Sequence, residues 1–96
     1  MTKPIYLLKK EQNVYVAGTI KNLKIYNRKS DEQELAYFTL EDETGIINAS
    51  CFVESYKKYK HLIKNNKKIV ANANCVEDTA ELRLIIKNAI GIWKRD

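Results

Sequence analysis

Histidine occurs once in this chain, cysteine twice and glycine three times in 96 residues. Each scarcity excludes something. One histidine, His61, and two distant cysteines, Cys51 and Cys75, supply no zinc site at a familiar ligand spacing. Three isolated glycines form no phosphate-cradling loop. No nucleophile stands beside a base and no acid–base pair is visible, so neither catalysis nor a cofactor is expected. No apolar run approaches the length that crosses a bilayer. The opening MTKPIYLLKK lacks the apolar stretch and cleavage site of a secretory signal. The expectation is a cytoplasmic protein without membrane association. Its cysteines are read as reduced small hydrophobes in strand-like runs, a disulfide being the less favoured alternative.

Positive charge is plentiful and local. The net charge is +5, from 17 basic and 12 acidic residues. Residues 53–68 hold Lys57, Lys58, Lys60, Lys64, Lys67 and Lys68 against Glu54 alone, so the rest of the chain is balanced. Such a cluster is either a solvated helix face or a patch that attracts phosphate or an acidic partner.

Hydrophobic periodicity supplies the elements. In VYVAGTIKNLKIY, Val14, Val16, Gly18 and Ile20 alternate, then the apolar set shifts phase to Leu23 and Ile25. That slip predicts a bulge near Lys21-Asn22, with Gly18 aiding a bend. The polar run Asn27–Glu34 reads as a loop. Leu35–Glu41 and Ile46–Phe52 read as strands joined by Asp42-Glu43-Thr44-Gly45, where glycine is expected to supply a positive φ. Residues Glu54–Asn65 form the predicted helix: Val53, Tyr56, Tyr59, Leu62 and Ile63 make one apolar stripe, and the lysines fill the other face. Lys68–Val76 and Glu81–Ala89 are the last two strands, around a polar loop Glu77–Ala80. Trp93 in the tail is expected to pack.

Three strands, one helix and two strands in a chain of this length predict a single domain over 1–96, with its core at about 13–92. The fold class is all-β with one helix, a five-stranded OB-fold barrel of order β-β-β-α-β-β.

One stretch narrows this further. LEDETGIINASCFVESY resembles a recurring signature: Leu-x-Asp at a strand end, an acidic-Thr-Gly turn, alternating small apolar residues, Phe, Glu, then Tyr. It is the signature of the nucleic-acid-binding OB domain of bacterial DNA polymerase III alpha subunits, the anticodon-binding domains of class II aminoacyl-tRNA synthetases, and several exonucleases and helicases. The Val-x-Gly-x-Ile of the first strand is similar too. The resemblance covers Asn13 to Ile92. It departs from the polymerase pattern at Val53, where Pro is frequent, and at Ala73, where Gly is frequent.

A barrel of this kind binds single strands across the outer faces of its second and third strands, with the loops after strands one and four as clamps. On this sequence that implies Tyr37, Thr39, Asn48 and Ser50 as the platform, with Tyr37 the first stacking candidate and Tyr26 the next. Arg28 and Lys29 lie in the first clamp loop, and Lys21 and Lys24 on the adjoining strand. Asn72, Asn74, Arg83 and Lys87 extend the surface. Lys57, Lys58, Lys60 and Lys64 form a separate electrostatic or partner patch, because the helix of such a barrel lies away from the groove. The implied function is binding of single-stranded nucleic acid, DNA favoured, as a non-catalytic accessory to a DNA polymerase, primase or helicase. Two alternatives stay open. One is a protein-interaction subunit that stabilises a polymerase-like partner; the other is an anticodon-type RNA-binding module.

Overall fold

The computed structural model describes residues 1–92; Trp93 and the packing expected of it lie outside the described residues. Five strands close into a barrel in the order β1-β2-β3-β5-β4. They are β1 (Glu11–Asn27), β2 (Glu34–Asp42), β3 (Gly45–Cys51), β4 (Lys68–Asp78) and β5 (Glu81–Gly91), with α1 (Val53–Tyr59) between β3 and β4. All pairings are antiparallel except β3 with β5. Among the described residues no helix is long and apolar enough to cross a membrane.

A barrel needs one strand long enough to pair on both sides, and β1 does so. Its first half pairs with β4 and its second half with β2, the change falling at Thr19, which faces both Lys68 and Glu41. Two bulges bend it, between Glu11 and Val14 and between Lys21 and Lys24. The second is the predicted slip. Both bulges contain an asparagine in the left-handed region, Asn13 at φ 56° and Asn22 at φ 55°. Asparagine tolerates that conformation better than most residues. Among the described residues no glycine has a positive φ. The conformational work that glycine often does falls to Asn13, Asn22 and Asn66, and to Glu32, Thr79 and Ala80, in this glycine-poor chain.

Two glycine readings are therefore corrected. Gly45 does not supply a positive φ. The β2–β3 turn is tied instead by Asp42, whose Oδ1 accepts from the Thr44 amide at 2.7 Å, the Thr44 hydroxyl at 2.6 Å and the Gly45 amide at 3.0 Å. Gly18 makes no turn either; it lets two strands approach. A Cβ there would stand 2.8 Å from Leu40 Cγ and 2.9 Å from the Glu41 carbonyl oxygen.

The alternation placed the core correctly. Ala36, Phe38, Leu40, Ile47, Ala49, Cys51, Ile69, Ala71, Ala73, Cys75, Leu84 and Ile86 are all buried. Leu82 packs against this core only in part. Ile25 is 40 % exposed, because β1 has by then left β4 and pairs on one edge only. The core also reaches into the N-terminal lead: Ile5 and Leu8 are buried. A single 3-10 turn, Ile5–Leu7, seats them over the β2–β3 corner. There the Ile5 amide donates to Asp42 Oδ2 at 2.9 Å and the Tyr6 amide to Thr44 Oγ1 at 3.1 Å.

The helix is shorter than predicted. It ends at Tyr59, and its N-cap is Phe52, without a side-chain bond. Beyond Tyr59 the chain tightens, the Leu62 amide donating to the Tyr59 carbonyl at 2.8 Å. It then lies against β1, with the Asn66 amide on the Ile20 carbonyl at 2.7 Å and the Ile20 amide on the Lys67 carbonyl at 2.9 Å. Tertiary pairing outcompetes helical propensity here. The apolar stripe survives, since Val53, Tyr56 and Ile63 are buried and Tyr59 and Leu62 partly so.

Candidate nucleic-acid interface

Residues paired across strands share a face. The registers therefore lay the outward side chains of the barrel in rows. One row runs Lys24, Tyr37, Ser50, Ile85 and Asn74; the next runs Lys21, Thr39, Asn48, Arg83 and Val76. Eight of the thirteen expected groove residues fall in these two rows.

Within them the aromatic and cationic groups are linked. Tyr26 meets Tyr37 edge to face, with ring centroids 5.4 Å apart. The Arg83 guanidinium carbon lies 5.9 Å from the Tyr37 ring centroid, within cation–π range. Arg83 is anchored from below: its Nη1 donates to Ser50 Oγ at 2.9 Å, and its Nε lies 3.6 Å from Asp78 Oδ2. Ser50 is consequently 1 % exposed. The platform position expected of it is corrected: it sits on the right face but beneath Arg83, as a support. Thr39 has a similar task, accepting from Asn22 Nδ2 at 3.1 Å and donating to the Lys21 carbonyl at 3.2 Å, which fastens the β1 bulge. Asn48, Lys24 and Tyr26 are exposed, while Tyr37 and Lys21 are half-buried.

A groove of about 450 Å³ follows this surface, lined by Tyr37, Ser50, Phe52, Asp78, Arg83 and Ile85 among others. Phe52 was not singled out as a site residue in the sequence, yet it is 46 % exposed and lines the same groove as Tyr37. The signal was available: Cys51 points inward, so the next residue points outward. A larger depression, about 630 Å³, lies at the acidic corner between the N-terminal lead, β1 and β2. It mixes Lys3, Lys21 and Lys68 with Glu41, Asp42 and Glu43 and carries no aromatic side chain. The smaller groove is the one that carries aromatic side chains, Tyr37 and Phe52.

Other expected residues, including Asn74 of the first row, lie elsewhere or are engaged. Arg28 binds Asp31 within the loop between β1 and β2, and that hydrogen bond holds the Asp31 carboxyl below its ordinary value. Lys29 beside it is exposed. Asn74 Oδ1 accepts from the Asn13 amide at 3.0 Å, and Lys87 Nζ donates to Asn13 Oδ1, so both secure the first bulge of β1. Asn72 stands apart, toward α1. Its Oδ1 accepts from Asn88 Nδ2 at 3.4 Å, and Asn88 in turn accepts from the Tyr59 hydroxyl at 2.9 Å.

None of the helix-region lysines lines the groove. Lys57 and Lys58 occupy the last turn of α1, where a cation suits the helix dipole. Lys60 pairs with Glu34 at 3.1 Å. Lys64, expected on the helix, lies in the turn beyond it. Both cysteines are free and buried, and burial pushes the Cys51 thiol up to about 12. Among the described residues no group of three or more His, Cys, Asp or Glu could hold a metal ion.

Comparison with known proteins agrees with this geometry. Residues 8–90 match the model of the OB-fold nucleic acid binding domain, the tRNA anti-codon family. The chain belongs to that family. Over 80 residues, 81% of its length, this OB-fold domain is 30% identical to DNA polymerase III subunit alpha of Aquifex aeolicus (strain VF5). It spans 7% of that polymerase subunit. Among solved structures it is similar to the second OB-fold domain of replication protein A from Methanococcus maripaludis. The TM-score is 0.71 at 18% identity, over 99% of this chain and 98% of that one. It is also similar to a replication protein A heterotrimer bound to ssDNA, with a TM-score of 0.71 at 15% identity, over 96% of this chain and 25% of that one. At such identities the likeness is one of fold.

Proposed function

We propose that this OB-fold domain binds single-stranded nucleic acid, DNA favoured, as a non-catalytic accessory to a replication or repair enzyme such as a DNA polymerase, primase or helicase. The observation that carries the reading is the linked series Tyr26, Tyr37 and Arg83 on the outward face of β1, β2 and β5. Bases stack on aromatic rings and on guanidinium planes alike. Lys21 and Lys24 flank that series and offer the strand's phosphates their countercharge. The polymerase relative and the ssDNA-bound heterotrimer support a replication setting. In this reading the domain works in the cytoplasm, where Cys51 and Cys75 stay reduced.

The test is fluorescence anisotropy of a labelled oligo-dT across a salt series. Log K falls with log salt at about −0.7 per phosphate contacted. Lys21→Ala and Lys24→Ala each lower that slope. The triple change Lys57→Glu, Lys58→Glu, Lys64→Glu leaves it unchanged. Tyr37→Ala costs about 1–3 kcal/mol of affinity. An absence of binding at low salt sinks the reading. The off-groove lysines would then favour the second one, a protein-interaction subunit with an acidic partner on the α1 side. An oligo-U competitor that matches oligo-dT would shift the preference from DNA toward RNA.

A further inference from the structure

We propose that the groove beside Tyr37 reads a guanine base, and that Asp78 sets this preference. The inference rests on the single-strand reading above. The groove has rings on its walls, Tyr37 and Phe52, and polar groups where β4 turns into β5. Those polar groups are Arg83, Glu77 and Asp78. Two carboxylates against one guanidinium make a poor seat for phosphate. The phosphates belong over Lys21 and Lys24, at the other end of the two rows, which leaves a base as the group that enters.

The polar pair then selects among bases. Arg83 offers donors, and 3.6 Å from its Nε the Asp78 carboxylate offers acceptors. Guanine carries the matching series on one edge: the O6 acceptor, then the N1–H and N2–H donors side by side. A carboxylate takes the two donors in parallel while a guanidinium takes O6. Cytosine and adenine each present one amino group. Thymine presents a single imide N–H between two carbonyl oxygens, which a carboxylate repels. In a single strand this edge is free to be read. Asp78 is held for the task, being the last residue of β4, paired with Glu81 across a two-residue turn, with its Oδ1 accepting from Thr79 Oγ1 at 3.1 Å.

The experiment is competition anisotropy with the full chain, using oligo-dT in which one central dT is replaced by dG, dC, dA or deoxyinosine. The dG oligonucleotide should compete about fivefold or more better than oligo-dT. Deoxyinosine, which lacks the N2 amino group, should lose most of that gain. Asp78→Asn should abolish the preference, bringing dG and dT oligonucleotides to equal affinity whatever their common level; Asp78→Glu should retain part of it. Equal affinity for dG and dT, or a dG preference that survives Asp78→Asn, overturns the inference and leaves the single-strand reading standing. Failure of every oligonucleotide to bind overturns both.

Discussion

Arg83 Nη1 donates to the Ser50 hydroxyl at 2.9 Å, across the parallel junction of β3 and β5 that closes the barrel. The pair makes the interface and the fold one structure. Ser50→Ala removes the only group beneath the guanidinium that accepts from Nη1 among the described residues. A lost hydrogen bond of this kind costs about 0.5–1.5 kcal/mol of stability, read from the urea midpoint. Oligo-dT affinity should fall as well, because Arg83 no longer holds its place over Tyr37. Since both residues act through one contact, the losses from Ser50→Ala and Arg83→Ala should not add in the double variant. Additive losses would show that the bond is not part of the binding surface.

Gly18→Ala tests closure from the other side. The new methyl would meet Leu40 Cγ and the Glu41 carbonyl well inside contact distance. Neither is the free end of a flexible side chain, so β1 and β2 must separate. Overpacking of this sort costs about 1–3 kcal/mol. Gly45→Ala is the comparison, since its methyl would meet only the Ile5 side chain, with Cγ2 at 3.3 Å and Cβ at 4.0 Å. Equal midpoints for Gly18→Ala and the parent would mean that the strands are not closely apposed there.

The contrast between those glycines shows what the sequence could and could not disclose. Period-two alternation identified the strands and their inward faces because a one-residue slip would expose the whole apolar set. The bulge near Asn22 was legible for the same reason. Tyr37 and Arg83 were legible as outward residues, but their contact was not, because it depends on the parallel pairing of β3 with β5. The helix was overextended because the apolar stripe continues through Leu62 and Ile63, and periodicity does not register that Asn66 and Lys67 pair with Ile20. The N-terminal plug was missed because Ile5 and Leu8 follow no strand or helix period. The Asp42 and Thr44 acceptors that help to hold that segment lie 37 and 38 residues away in sequence.

Asp42 also makes stability depend on pH. Partial desolvation pushes its carboxyl upward, but the Thr44 hydroxyl and the amides of Ile5, Thr44 and Gly45 outweigh it, so the carboxyl lies below its ordinary 3.8. A group lowered in the folded state stabilises fully above its unfolded value and loses that contribution as pH falls through the folded one. Thermal melts between about pH 2 and pH 5 should therefore fall more steeply for the parent than for Asp42→Asn. At neutral pH the variant should be less stable, because the carboxamide cannot accept from all the same donors. Parallel acid limbs for the two proteins would show that the corner carries no linked proton.

The β4–β5 turn is the place where the backbone conformation and the residue types disagree most. Thr79 at φ 51° and Ala80 at φ 68° are both left-handed, the pattern of a type I′ hairpin turn, which Asn-Gly or Asp-Gly ordinarily fills. A β-branched residue in that region is an outlier, and each non-glycine residue there costs about 1–2 kcal/mol. The double change Thr79→Asn, Ala80→Gly should raise the urea midpoint by an amount equivalent to about 1–2 kcal/mol with an unchanged slope. The gain is smaller than the full strain because Thr79 Oγ1 donates to Asp78 Oδ1 at 3.1 Å and that bond is lost. Freed of it, Asp78 would keep its carboxylate but not its fixed orientation. The same variant should thus gain stability, hold its affinity for oligo-dT and lose part of any preference for dG. A stabilised turn with an undiminished dG preference would show that Thr79 does not orient Asp78.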